Sequence, residues 1–312
     1  QLFKFRKRPE ALPGLSAVGL HPDGVSLVQI ERREDAVPLV RACEYIGVEP
    51  GADTTGVLKD LCSRYELGKA VCTTVMQLDD YRLLMVEAPE VPDEELLSAM
   101  RWRVKDLLDF DANDATIQLF EFPNTSQGAN RGRSVYLVAA PNEVIDRYTQ
   151  PISRAGINLE IVDIPEMAQR NVAALLPTDT TGTAVLSLLE GGGLITLSKA
   201  GALYISRSLD VGLNALREKP DDFYYHDRIA MEVQRSLDYY VSHFRQEPIE
   251  RLYLAPAAAP VGPLIDYLNA NIPTEIINLN QSLEWQEAVP ETVAAKCFFT
   301  IGAALRQPGA QA

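Results

Sequence analysis

Residues 19–30 read GLHPDGVSLVQI, two short apolar runs on either side of a Pro-Asp-Gly turn. Proline and glycine favour tight turns, so this pattern predicts a β-hairpin. A third apolar run follows a charged turn at 32–35 and ends near Tyr45. The first part of the chain is therefore predicted to form a three-stranded meander.

The same pattern returns about halfway along the chain. Residues 186–198 read LSLLEGGGLITLS, again two apolar runs around a glycine turn, and a further run follows Gly201. Repetition of a supersecondary unit indicates an internal duplication. The sequence therefore predicts two lobes, each a strand meander followed by helices, with their hairpins facing one another.

The repeat also predicts the domain organisation. The first lobe is expected at 1–178 and contains a small α+β insert at about 79–140, where strand, helix and two strands follow one another. The second lobe is expected at 179–306, and the polar tail 307–312 is predicted to be disordered. Because strands and helices alternate along the chain, the predicted fold class is α/β.

The clearest helix signal lies in the insert, at 92–107. Pro92 is followed by three acidic residues, a combination typical of a helix start. The apolar residues that recur every three or four positions, and that predict one buried face, are Leu96, Met100, Val104 and Leu107.

Further helices are predicted in both halves. A helix after Pro141 is expected to be interrupted at Pro151, because proline lacks the backbone N–H that a helix interior needs. Another helix is expected from Pro165 to about Leu176. A long helix is expected at 221–245, and the residues of its apolar stripe are Ile229, Val233, Leu237, Tyr240 and Phe244.

Composition excludes several classes of function. The chain of 312 residues carries 43 acidic and 29 basic side chains, a net charge of −14, which repels nucleic acid. No run approaches the roughly 18 apolar residues of a membrane span, so a cytoplasmic protein is expected. Four scattered cysteines without a C-x-x-C pair and three histidines predict no metal site.

Four segments resemble a known family. They are EAPEVPDEELLSAMRWRVKDLLDFDANDATIQLFEF, VYLVAAPNEVIDRYTQPISRAGINLEIVDI, AMEVQRSLDYY with IERLYLA, and the closing TIGAALR. In this order they resemble the PilM-type assembly proteins of type IV pili, and especially their MshI branch from mannose-sensitive hemagglutinin (MSHA) pili. The resemblance implies the two-lobed actin-like fold shared by actin, Hsp70, sugar kinases and FtsA.

Active members of this fold hold ATP and Mg²⁺ between the lobes, using a phosphate hairpin in each. The first hairpin should resemble Gly-Ile-Asp-Ile-Gly-Ser-Ser-Ser, yet His21 stands at the Asp position here. The turn is shorter, with Asp23 and Gly24 at its tip, and Ser26 is the one hydroxyl where a run is expected. By this resemblance the first phosphate loop is degenerate.

The other two loops of the implied nucleotide site depart from the family as well. The expected Asp-x-Gly of the second hairpin aligns with Glu190 and Gly191, followed by Gly192, so the carboxylate is shifted by one residue. A one-residue shift in a strand turns a side chain to the opposite face. In the adenosine loop, Pro256 replaces a glycine that would lie against the base.

The resemblance implies a catalytically silent scaffold with no cofactor, peripheral to the inner membrane. Its partner would be a PilN-like inner-membrane protein, whose cytoplasmic N-terminal peptide enters a groove in the first lobe beside the insert. Arg101, Trp102 and Arg103 are a second predicted partner-binding group. Two alternatives stay open: an active ATPase or sugar-kinase-like phosphotransferase using ATP and Mg²⁺, and a self-polymerising filament protein.

Overall fold

A computed structural model of the chain describes residues 16–33, 36–123, 133–219, 223–279 and 288–306. The strands, in chain order, are β1 (Ser16–His21), β2 (Gly24–Arg33), β3 (Ala36–Gly47), β4 (Cys72–Val75), β5 (Arg82–Glu87), β6 (Ala115–Glu121), β7 (Ser134–Pro141), β8 (Leu159–Asp163), β9 (Thr183–Leu188), β10 (Gly193–Lys199), β11 (Ala202–Leu209), β12 (Arg251–Leu254) and β13 (Glu275–Asn278). The α-helices are α1 (Thr55–Arg64), α2 (Asp93–Val104), α3 (Asn142–Arg154), α4 (Pro165–Ala173), α5 (Leu213–Glu218), α6 (Tyr224–Phe244), α7 (Gly262–Asn271) and α8 (Glu291–Ala304). The predicted disordered tail 307–312 lies outside the described residues.

Two five-stranded sheets share one topology. The first has the order β3-β2-β1-β4-β8, and the second has the order β11-β10-β9-β12-β13. In each sheet an antiparallel meander of three strands is extended by two parallel strands. The matching order confirms the predicted repeat of a strand meander followed by helices.

A third sheet, with the order β5-β7-β6, is inserted in the chain between β4 and β8 of the first sheet and is antiparallel throughout. Helix α2 covers one face and buries Leu96, Met100 and Val104, as predicted. The prediction for Leu107 was wrong, because the helix ends at Val104 and the Leu107 side chain is 58% exposed.

The predicted interruption at Pro151 was also wrong. Helix α3 runs without a break from Asn142 to Arg154. Pro151 lies in its last turn, where the missing N–H removes only one bond, and the neighbouring Tyr148 and Ile152 side chains are buried. Burial of this face therefore outweighs the lost hydrogen bond.

The second sheet is covered on one side by α6. All five residues of the predicted stripe are buried in the same apolar cluster, together with residues of β9 to β12. Helix α5, which packs beside α6, was not predicted from the sequence. It matters because it reaches the tip of the second hairpin.

The two central helices are exchanged between the sheets. Helix α8, from the end of the chain, packs on β1 to β4, whereas α4, from the first half, packs on β9 to β11. The two helices also pack against each other, and Gly302 lies so close to Ala168 that a Cβ atom there would overlap the Ala168 carbonyl. Each half of the chain thus supplies the helix that covers the other half's sheet.

Candidate functional site

The first hairpin carries a chain of three polar side chains. His21 Nε2 lies 2.8 Å from Ser26 Oγ, which lies 2.6 Å from Thr300 Oγ1 on α8. The pKa of His21 is lowered to about 4, chiefly by burial; Asp23 opposes this change and the Lys296 cation adds to it. The imidazole is therefore neutral near pH 7 and is held by hydroxyl groups.

Asp23, at the tip of this hairpin, is bound by two side chains. Lys296 Nζ lies 2.7 Å from Asp23 Oδ2, and the Tyr45 hydroxyl donates to Oδ1. The Lys296 ammonium lies 4.2 Å from the centre of the Tyr45 ring. The hydrogen bonds from Lys296 and then Tyr45 lower the pKa of Asp23. The Asp23 carboxylate is thus bound by the Lys296 cation and by the Tyr45 hydroxyl donor.

Gly24, in the turn, leaves room for the Tyr45 side chain to pack against the hairpin. A Cβ atom on Gly24 would overlap the Tyr45 ring, which lies across the hairpin. Glycines of phosphate loops let backbone approach an anion, whereas Gly24 leaves room for an aromatic side chain. The first hairpin is consequently organised around Tyr45 and Lys296.

The second hairpin is covered by the start of α5. Leu213 N donates to Leu189 O at 2.8 Å, and Asn214 N donates to Glu190 O at 3.0 Å. A Cβ atom on Gly212 would overlap the backbone of Gly192. In other proteins the N–H groups at the start of a helix can bind a phosphate. At the start of α5, two of these groups instead donate to carbonyl groups of the second hairpin.

Arg217 of α5 connects the second hairpin to the loop after β12. Its guanidinium forms an ion pair with Glu190, with Nη2 lying 3.2 Å from Oε1, and donates to Ala258 O at 3.2 Å. Pro256, in that loop, is buried. The structure therefore brings Glu190 together with the predicted adenosine loop, and it joins His21, Asp23 and Ser26 to α8.

The predicted partner-binding group divides into separate roles. The Trp102 side chain is 72% exposed, with Lys105 Nζ lying 5.0 Å from its ring centre. Arg101 instead donates back to the insert, to Ala112 O and, at 3.0 Å, to Ala115 O. Of the three residues, Trp102 alone presents a large apolar surface to solvent.

A groove whose lining residues the sequence did not indicate lies between α3 and β8. It has a volume of about 680 Å³, with Gln150, Ser153 and Arg154 on the helix side and Leu159 to Val162 on the strand side. Strand β8 is the last strand of the first sheet. Because strand order is a long-range property, no local pattern in the sequence marks β8 as an edge.

Comparison with known proteins gives a structural match. The chain matches no protein-family model and no curated protein. It is similar to a solved PilM-PilN type IV pilus biogenesis complex, with 17% identity over 95% of this chain and 99% of that chain and a TM-score of 0.69. The fold is that of the actin-like ATPases.

A second solved structure covers nearly as much of the chain. The cytoplasmic domain of EpsL, an inner-membrane component of the type II secretion system of Vibrio cholerae, aligns with 11% identity over 91% of this chain and 93% of that chain, with a TM-score of 0.50. At these identities the likeness establishes the fold, which confirms the predicted actin-like architecture. In the described part of the chain, every helix is too short or too polar to cross a membrane.

Proposed function

We propose that this protein is a scaffold of a type IV pilus assembly platform, of the MSHA-like kind, in the MshI branch of the PilM-type proteins. In this role it works in the cytoplasm and reaches the inner membrane through a PilN-like partner. The similarity to PilM in the PilM-PilN complex supports the class of partner. The open edge of β8 carries the proposal, because it offers a place for an extended peptide.

The backbone of β8 determines what this edge can bind. Asp163 O accepts from Met76 N at 3.0 Å, so the backbone groups of Asp163 face β4. Successive residues of a strand point their backbone groups to opposite sides, and the N–H and C=O of Val162 therefore face the open edge. Among the strands that the structure describes, β8 pairs with β4 alone.

Helix α3 lies beside the open edge of β8, and the two elements form the walls of the groove. A strand edge beside a helix is the geometry in which several domains add a peptide as an extra strand. Leu159 and Ile161 are partly exposed in the groove and offer apolar contacts, whereas Arg154 and Glu160 are exposed charges. The geometry suits a short extended segment with apolar side chains, such as the N-terminal peptide of the partner.

Replacing Val162 by proline is expected to weaken peptide binding by more than about tenfold, because proline removes the N–H that faces the peptide while the β4 ladder stays intact. Fluorescence anisotropy with the labelled N-terminal peptide of the PilN-like partner measures the affinity. The matched control, Val162→Ala, shortens the side chain but keeps the N–H, and its affinity should stay within about threefold of wild type.

Two results would contradict this part of the proposal. Val162→Pro protein with an unchanged melting curve and wild-type affinity would place the peptide elsewhere. Failure of the wild-type protein to bind the peptide at about 1 mM would remove the adaptor role.

The proposed scaffold does not hydrolyse ATP. This proposal rests on Asp23, whose carboxylate is bound by Lys296 and Tyr45, and on Glu190, which is paired with Arg217. Calorimetric titration with Mg-ATP is expected to give no saturable heat up to about 1 mM nucleotide. Saturable binding that disappears in Glu190→Ala would instead identify a working nucleotide site and favour the ATPase.

A further inference from the structure

A second cleft, of about 500 Å³, lies between the insert and the second sheet. One side is formed by β5 and β7, and the other by β11 and the end of α6. It is separate from both hairpins and from the groove beside β8, and none of the residues discussed above for those sites lines it.

A buried carboxylate lines this cleft. Glu166 is the second residue of α4, and its side chain is 4% exposed. The Tyr81 hydroxyl donates to Oε2, and Ser206 Oγ donates to Oε1 at 3.4 Å. Burial raises the pKa of Glu166 and the nearby Asp163 carboxylate adds to the rise, whereas hydrogen bonds from Tyr81, from its own backbone and from Ser206 oppose it.

The environment nevertheless favours the ionised carboxylate once a cation is present. Two hydroxyl groups donate to Glu166, and the start of α4 presents the positive end of the helix dipole. A buried charge without a partner is costly, and a cation of the right size offsets that cost. A cation that enters the cleft would therefore be stabilised by Glu166.

Aromatic side chains form the walls. Tyr136 and Phe244 are buried, Tyr204 and Tyr239 are half-buried, and the Tyr136 hydroxyl donates to Tyr204 O at 2.9 Å. The rings of Tyr239 and Phe244 meet edge to face, with centres 5.6 Å apart. Aromatic faces attract organic cations, and the attraction increases where water is excluded.

The two arginines that line the cleft, Arg82 and Arg207, are each directed to a different carboxylate. Arg82 is paired with Asp109 at 2.6 Å, and Arg207 lies 3.6 Å from Glu232. Both guanidinium groups thus have carboxylate partners outside the cleft, and the charge of Glu166 remains available to a ligand.

We infer that this cleft binds an organic cation, an ammonium or guanidinium group on an apolar stem, with the charge on Glu166 and the stem against the aromatic rings. An anion is opposed by Glu166, and a neutral apolar ligand would leave the carboxylate with its hydroxyl donors but without a cation. The same chemistry has two sources, a free alkylamine or alkylguanidine and the basic side chain of a peptide.

The test uses the whole protein with methyl-labelled methionine. Met85 lines the cleft and is exposed, whereas Met100 is buried on the inner face of α2 and serves as an internal reference. The probes are n-butylguanidinium and its neutral isostere n-butylurea. We expect the guanidinium to shift the Met85 methyl signal in a saturable way, with the Met100 signal unchanged and no saturable effect of the urea.

Glu166→Gln keeps the shape and the oxygen that accepts from Tyr81 but removes the charge. We expect it to weaken n-butylguanidinium binding about tenfold or more, the range for a hydrogen bond to a charged group. The matched control is Glu143→Gln, since Glu143 is likewise the second residue of its helix, α3, but is exposed. Its affinity should match that of wild type.

The sources are separated with two blocked pentapeptides, Ala-Leu-Arg-Leu-Ala and the same peptide with citrulline in place of arginine. An arginine peptide that binds at least about tenfold more tightly than n-butylguanidinium indicates a peptide side chain, and equal affinities indicate a free small cation. The inference is overturned if n-butylguanidinium fails to bind at about 10 mM, if n-butylurea binds equally well, or if Glu166→Gln leaves the affinity unchanged. None of these outcomes depends on the groove beside β8, so the proposed scaffold role stands or fails separately.

Discussion

Replacing Gly302 by alanine is expected to lower the free energy of unfolding by about 3 kcal/mol, the upper end of the usual cost of overpacking. At this position α8 crosses α4, and an added Cβ atom would overlap the backbone of Ala168. The overlap involves a carbonyl group, which cannot move aside as a side chain can. The helices must separate, and both sheets rest on them. Urea unfolding followed by far-UV circular dichroism measures the loss.

The matched control is the same substitution in an open helix position. Gly56 lies in the first turn of α1, is exposed, and has no atom within 4 Å of an added Cβ. Because alanine has the higher helix propensity, Gly56→Ala should raise the free energy of unfolding by about 0.5 kcal/mol. The two substitutions therefore differ in sign. A Gly302→Ala protein as stable as wild type would mean that the helices do not approach this closely.

Local patterns in the sequence predicted the repeated units of this fold. The apolar runs around 22–24 and 191–193 mark both hairpins, and a meander leaves few choices for strand order because neighbouring strands in sequence pair in space. The spacing of Leu96, Met100 and Val104 likewise gave the buried face of α2. The predictions were confirmed where the contacts join segments that are close together in the sequence.

The sequence could not predict contacts between distant segments. The sequence places Asp23 at the tip of a turn but does not show that its cation is Lys296, 273 residues away. Glu166 drew no functional prediction from the sequence, because only the packing of the insert against β11 places it in a cleft. The open edge of β8 depends on the order of all five strands, which local composition does not encode.

Replacing Arg306 by alanine is expected to lower the free energy of unfolding by about 3 to 5 kcal/mol at pH 7, the cost of leaving a buried charge without its partner. Arg306 Nη1 lies 3.1 Å from Asp163 Oδ1, and the Asp163 side chain is 3% exposed at the end of β8. The same oxygen accepts from Ile164 N at 2.9 Å. Without Arg306, the carboxylate keeps that bond but loses its ion-pair partner, and Arg170 acts on it only through a weaker charge interaction. Urea unfolding measures the loss.

The pH dependence distinguishes a lost ion pair from lost packing. Burial raises the pKa of Asp163 above its ordinary value, and Arg306 opposes that rise, so removal of Arg306 raises the pKa further. An acid whose pKa is raised in the folded state takes up a proton on folding, and stability then increases as the pH falls toward the unfolded pKa near 4. The deficit of Arg306→Ala relative to wild type should therefore shrink between pH 7 and pH 4.5.

The double variant Arg306→Ala/Asp163→Asn completes the test, because it removes the charge that the single variant leaves unpaired. It should recover at least about half of the lost free energy at pH 7 and show no extra dependence on pH. A deficit that is equal at both pH values, and that the double variant does not reduce, would assign the effect to packing. Asp163 directly follows Val162 in β8. A double variant that recovers its free energy of unfolding should therefore bind the peptide at the edge of β8 as the wild type does.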